Sequence, residues 1–184
     1  MKNQTFYVLA LFDEKTNQIF TELTENLKKN NIDFLEELPH ITLGGYTEVP
    51  ESEITSWVKE FSETHCPLKI NFNHIGLFPQ SICFIGPKVN EELLRFHREF
   101  HANFDSCFTE IGYNFTLCSE NWVPHMTIIT GNAENIFKGI PILFSAFQPF
   151  IGTITELAIY QFDPFLELRR FPLKHPDFQT DKKK

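Results

Sequence analysis

One quartet of residue types, Pro-His-x-Thr, occurs twice in this 184-residue chain, as Pro39-His40-Ile41-Thr42 and Pro124-His125-Met126-Thr127. Random placement of the chain's 11 Pro, 7 His and 15 Thr predicts roughly 0.03 such quartets, so two copies are a signal. Imidazole titrates near neutrality, so one of two facing imidazoles can be neutral and take a proton while the other is charged and gives one. A Thr hydroxyl is a short donor suited to the non-bridging oxygens of a phosphate. The residue types together describe acid–base phosphoryl transfer, with His40 and His125 carrying protons and Thr42 and Thr127 holding the phosphate. This scheme requires no metal and no cofactor, and no carboxylate cluster at metal-ligand spacing accompanies either motif.

The chemistry needs both motifs on elements that point them into one groove. On a β-strand, residues i and i+2 share a face, so His40 and Thr42 point one way while Ile41 and Leu43 point the other. Patterning around the first motif predicts a strand over Thr5–Phe12, and then a helix from the N-cap Asp13 to about Asn30, with Ile19, Leu23 and Leu27 on one face. A strand over Pro39–Tyr46 follows, then a helix after Pro50 with Ile54, Trp57, Val58 and Phe61, and a strand from Leu68 to Phe78.

From Ser81 the order restarts. Ile82–Ile85 reads as a strand, Asn90 opens a helix bearing Leu93, Phe96, Phe100 and Phe104, and Val123–Ile129 reads as a strand. A helix over Ala133–Phe147 is interrupted or bent at Pro141. Phe150–Phe162 and Glu167–Leu173 are strand-like. The motif histidines are 85 residues apart, and the strand ends Phe78 and Phe162 are 84 apart, as a duplicated half would leave them. With no Gly-, Pro- or Ser-rich linker between halves 1–79 and 80–173, residues 1–173 are predicted to pack as one bilobal domain. A polar tail, 174–184, follows.

These residues resemble the two-histidine (2H) phosphoesterases, the LigT-like or 2′-5′ RNA ligase-like proteins, whose signature is two His-x-Thr/Ser-x motifs. Tyr7-Val8-Leu9-Ala10-Leu11-Phe12-Asp13, the stretch Leu93 to His101 and Asn121-Trp122-Val123-Pro124 are also similar to small bacterial members. The resemblance implies an α+β fold of two pseudo-symmetric β-α-β-α-β halves, with antiparallel sheets lining a central cleft. It implies metal-independent chemistry on 2′,3′-cyclic phosphates or 2′-5′ phosphodiesters of nucleotides or RNA ends, a cyclic phosphodiesterase or reversible ligase of RNA processing. Carried over, His40 and His125 are the acid–base pair, His125 the base and His40 the acid, and Thr42 and Thr127 the phosphate ligands. Some members carry an Arg close to a motif, whereas here Gly44-Gly45-Tyr46 and Ile129-Thr130-Gly131 follow without a cation.

Composition narrows the partners. The formal net charge is −8, and the only basic run is Lys182-Lys183-Lys184, so duplex nucleic acid, which needs clustered cations, is excluded as a partner. A small nucleotide with a cyclic phosphate, or an RNA end, fits better. The apolar run Tyr7 to Phe12 is stopped by Asp13 before it reaches signal-peptide length, and no run is long enough to span a membrane, which predicts a cytoplasmic protein. Cys66, Cys83, Cys107 and Cys118 form no Cys-x-x-Cys pair and read as reduced structural thiols.

Among the aromatics, 21 of them Phe, most read as core, while Tyr46 and Trp122 are candidates either to stack on a base or to pack beside the motifs. His97 and His101, four apart on a helix, lack a third metal ligand and read as a solvated or groove-edge face. Arg169 and Arg170 read as edge-strand charge, and Gly44 and Gly45 as close approach to a ligand or as a bulge. An alternative function uses the same cleft as a nucleotide- or phosphate-binding module without turnover.

Overall fold

The computed structural model describes residues 5–47, 49–79, 81–102, 122–162 and 164–174; Phe104, Cys107, Cys118 and His175 lie outside them. The elements are β1 (Thr5–Phe12), α1 (Glu14–Lys29), β2 (His40–Thr47), α2 (Glu51–Thr64), β3 (Leu68–Phe78) and β4 (Ile82–Pro87). They continue with α3 (Glu91–His101), β5 (Met126–Thr130), α4 (Ala133–Ala146), β6 (Phe150–Phe162) and β7 (Leu166–Pro172). Local chemistry sets the helix starts. The side chains of Asp13, Asn90 and Asn132 each accept from a backbone N–H three residues on, at 2.9 Å, satisfying donors that the first turn leaves open.

The α+β architecture has one antiparallel sheet in the order β2-β1-β6-β3-β4-β5, with β7 added beside β6. Replacing each strand by its counterpart in the other half of the sequence reverses this order onto itself, so a pseudo-two-fold passes between β3 and β6. The two halves are therefore interleaved. The last strand of each half leaves its own neighbours: β6 pairs with β1, and β3 pairs with β4. Pairing of β3 with β6 over Leu68–Phe72 makes the sheet continuous across the axis.

Each face of the sheet has its own role. On β1 and β2, Phe6, Val8, Ala10, Ile41 and Tyr46 are buried in the main core. The opposite face of the same strands carries Leu9 and Leu11, in a separate small cluster with Ala158, Tyr7 and Tyr160. Helices α2 and α3 pack against β6, β7 and β2, while α1 and α4 pack on each other, with α4 also against β4 and β5. Contrary to the interruption expected at Pro141, α4 is continuous through it. Pro141 lies on the exposed face, where water can satisfy the carbonyl that loses its partner.

Among the described residues no helix is long and apolar enough to cross a membrane. Cys66 is exposed and Cys83 is buried, and burial pushes the Cys83 thiol up to about 11, which keeps it protonated.

Candidate active site

The motif strands β2 and β5 stand at opposite ends of the strand order, yet they touch, because the sheet folds over on itself. His40 opens β2, and His125 directly precedes β5. Ladder partners share a face, so Leu11 opposite His40 and Leu9 opposite Thr42 place both motif side chains on the face away from Ile41 and the main core. Thr127 lies opposite Phe84 in the second half. His40, Thr42, His125 and Thr127 are each half-buried.

The two imidazoles are held alike. Nδ1 of His40 donates to the Leu38 carbonyl at 2.8 Å, and Nδ1 of His125 donates to the Val123 carbonyl at 2.7 Å. A carbonyl can only accept, so each Nδ1 carries the hydrogen and each Nε2 keeps the lone pair. In both motifs a proline separates the acceptor from the histidine. Its fixed φ, and the extended backbone it imposes on the residue before it, hold the chain in the conformation that returns that carbonyl to the ring. The flanking Leu38 and Val123 are equally exposed, at 42% and 43%.

The rings differ in electrostatic setting. Burial pushes the His40 imidazole below its usual range, against the opposing pull of the Leu38 carbonyl and of the Glu37 carboxylate. His125 is also lowered by burial, against the pull of the Val123 carbonyl, and is lowered further by the charge of His40. The two rings are thus within electrostatic reach, and a proton on His40 disfavours one on His125. Phe78 and Phe84 pack on His125, with ring centroids 4.8 and 5.4 Å away, and contribute apolar surroundings on that side. Neither phenylalanine was singled out from the sequence. The available signal was Gly76 opposite Phe84: a Cβ at Gly76 would lie 2.2 Å from the Phe84 ring.

Tyr46 is not at this site. Counting by twos from His40 puts it on the motif face, but the β1–β2 register skips Leu43, pairing Thr42 with Leu9 and Gly44 with Val8. This bulge reverses the parity, and Tyr46 turns into the core against Phe100, fully buried. Gly44 belongs to the same device, since a Cβ there would lie 2.8 Å from the Tyr46 ring.

Trp122 is half-buried and stacks on His97, with centroids 3.6 Å apart and an interplanar angle of 14°, so that face of the indole is already covered. His97 and His101 are buried rather than solvated, because they lie on the α3 face that packs under β2. Arg170 is exposed on the outer strand β7, as edge-strand charge, and pairs at the surface with Glu167 at 2.7 and 3.1 Å and with Glu156 at 3.3 Å. Among the described residues no group of three or more His, Cys, Asp or Glu is placed to hold a metal ion.

Solved structures with the same fold include E. coli LigT complexed with 3′-AMP, at a TM-score of 0.62 and 12% identity, covering 95% of this chain and 100% of that one. TT0787 of Thermus thermophilus has a TM-score of 0.58 and 14% identity, covering 94% and 99%. Usb1 of Kluyveromyces marxianus has a TM-score of 0.52 and 12% identity, also covering 94% and 99%. No curated protein matches the chain. The family model for the 2′-5′ RNA ligase superfamily matches residues 12–164, a span that contains both Pro-His-x-Thr motifs, and the chain therefore belongs to that superfamily of two-histidine phosphoesterases.

Proposed function

We propose that the chain is a phosphodiesterase that opens 2′,3′-cyclic phosphates, or cleaves 2′-5′ phosphodiesters, of small nucleotides or RNA ends without a metal. The observation that carries this reading is the matched pair of imidazoles, each with Nδ1 tied to the carbonyl two residues back and Nε2 left for proton transfer. Burial depresses both rings, but the Glu37 carboxylate opposes this at His40 and a proton on His40 lowers His125 further, which supports His40 as acid and His125 as base.

In the hydrolytic direction His125 Nε2 takes a proton from water, and the water oxygen forms a bond to phosphorus. The P–O3′ bond breaks, and protonated His40 gives its Nε2 proton to the departing 3′ oxygen, leaving a 2′-phosphate and a 3′-hydroxyl. Thr42 and Thr127 donate to the non-bridging oxygens as charge builds on them. Ligation follows the same steps with a ribose 5′-hydroxyl in place of water, and its reverse, with the roles of the two histidines exchanged, cleaves a 2′-5′ phosphodiester back to the 2′,3′-cyclic phosphate. A small substrate is favoured by the net charge of −8 and by the absence of a cation directly after either motif. The LigT structures complexed with 3′-AMP, ATP and NADP+ point to the same size of ligand.

The test is incubation of the purified protein with nucleoside 2′,3′-cyclic phosphates and 2′-5′-linked dinucleotides, identifying the position of the product phosphate. Turnover that survives EDTA and falls about 10²-fold or more in His40→Ala and His125→Ala is expected. Binding without turnover would instead favour a ligand-binding module, and loss of activity in EDTA would overturn the metal-free scheme.

A further inference from the structure

We infer that His101, with His97 and Trp122 behind it, is a positioning brace that ties the two catalytic motifs together from inside the core. The inference rests on the proposed activity only for its kinetic readout.

His101 is 3% exposed and His97 is fully buried. Nε2 of His101 lies 2.8 Å from the carbonyl of Leu43 and 3.1 Å from Nε2 of His97. A carbonyl only accepts, so the hydrogen is on His101 Nε2, and His97 presents its Nε2 lone pair to that same hydrogen. The atom being held is significant. Leu43 is the unpaired residue of the β2 bulge, one position after Thr42 and three after His40. An extra residue in a strand leaves its carbonyl without a ladder partner, and a buried carbonyl without one is costly. His101 supplies the bond, and so fixes the height of the bulge that orients Thr42.

The far end of the chain of contacts reaches the other motif. His97 stacks on Trp122, and Trp122 immediately precedes Val123, whose carbonyl holds His125 Nδ1. The second motif shows that anchoring of this carbonyl is a feature of the fold. There the skipped residue is Ile128, one position after Thr127, and its carbonyl accepts from the Leu35 backbone N–H at 3.1 Å. Both bulge carbonyls are captured by the segment that belongs to the opposite motif's surroundings. On β5 the captor is a backbone N–H, which only a proline substitution removes. On β2 it is a side chain.

The experiment compares His101→Leu with His101→Gln, whose side-chain amide can donate to the Leu43 carbonyl. His101→Leu is expected to lower kcat for cyclic-phosphate hydrolysis by about 10- to 100-fold with KM changed much less, since small misplacement of reacting groups acts on the chemical step. His101→Gln should recover most of the loss. Ring resonances of His40 and His125 in NMR spectra provide a readout that needs no turnover: both should shift in His101→Leu and return toward wild type in His101→Gln. If His101→Leu does not fold, the same two readouts on His101→Gln and His97→Phe decide. Unmoved motif-histidine resonances, wild-type kcat in folded His101→Leu, or a Gln variant as impaired as Leu at equal Tm would overturn the brace. Shifted resonances in a protein whose wild type turns over no cyclic phosphate would leave the brace standing and remove the proposed activity instead.

Discussion

Leu43 and Ile128 are the unpaired residues of two equivalent β-bulges, each directly after a motif threonine. Up to the bulge, the residues in step with the motif histidine face the site; beyond it the parity is reversed, so on β2 Tyr46 turns into the core and Gly45, opposite Tyr7, takes the motif face. Each motif thus places its His and its Thr on one face before the bulge.

The asymmetry between the two imidazoles sets the expected pH profile. Both are depressed from the ordinary value of about 6.5, and the proton shared by the pair belongs to neither alone. In the proposed mechanism the singly protonated pair is the active form, so kcat/KM should follow a bell whose maximum lies on the acid side of pH 6.5. A maximum above pH 7.5 would contradict the assignment.

The same depression makes a stability prediction. A histidine held neutral in the fold binds its proton more readily in the unfolded chain, so between the depressed value and about 6.5 the unfolded state holds more protons. Stability should fall as pH drops from about 6.5 through that window. Thermal unfolding of His40→Gln or His125→Gln should show a shallower decline than wild type over the same pH range.

Thr42 and Thr127 should act on the chemical step. Thr42→Ala and Thr127→Ala are each expected to lower kcat by about 10²- to 10³-fold, the usual cost of one donor to developing anionic charge. Thr→Ser at either position keeps the hydroxyl and should retain activity within about 10-fold. Steady-state kinetics of the four variants tests this, and equal loss in Ser and Ala would remove the hydroxyl from the mechanism.

Gly44 is required by the ring it accommodates. Gly44→Ala places a methyl 2.8 Å from the Tyr46 ring in a fully packed region, an overpacking cost of about 1–3 kcal/mol. A lower Tm with the far-UV spectrum retained is the expected result, and a wild-type Tm would show that the ring has room to move.

Tyr46 should behave as a core residue. Tyr46→Ala is expected to destabilise by about 3–5 kcal/mol, as large aromatic deletions do. Tyr46→Phe should leave KM for a cyclic nucleotide within about twofold; a large rise in KM would return this residue to the binding surface, although it is fully buried.

The two motifs, the α+β character and most element boundaries were legible in the sequence because each depends on local chemistry. Pairing of a histidine with a threonine two residues on requires only strand parity, and Asp13 and Asn90 announce helix starts through hydrogen bonds that span three residues. The x-Pro-His order that sets both tautomers is local as well.

What the tertiary structure decided is what depends on register and on contacts between distant segments. A one-residue skip opposite Val8 and Leu9 moved Tyr46 from the site face to the core, and residue types alone do not encode where a ladder skips. Packing of α3 under β2 turned His97 and His101 from a supposed solvated pair into buried neighbours of the first motif. The fold also brought β2 and β5, at opposite ends of the strand order, into contact. The sequence by itself determined which groups are the candidates for the chemistry; the fold decided which way they point and what holds them, because side-chain direction in a sheet is set by pairing across the chain.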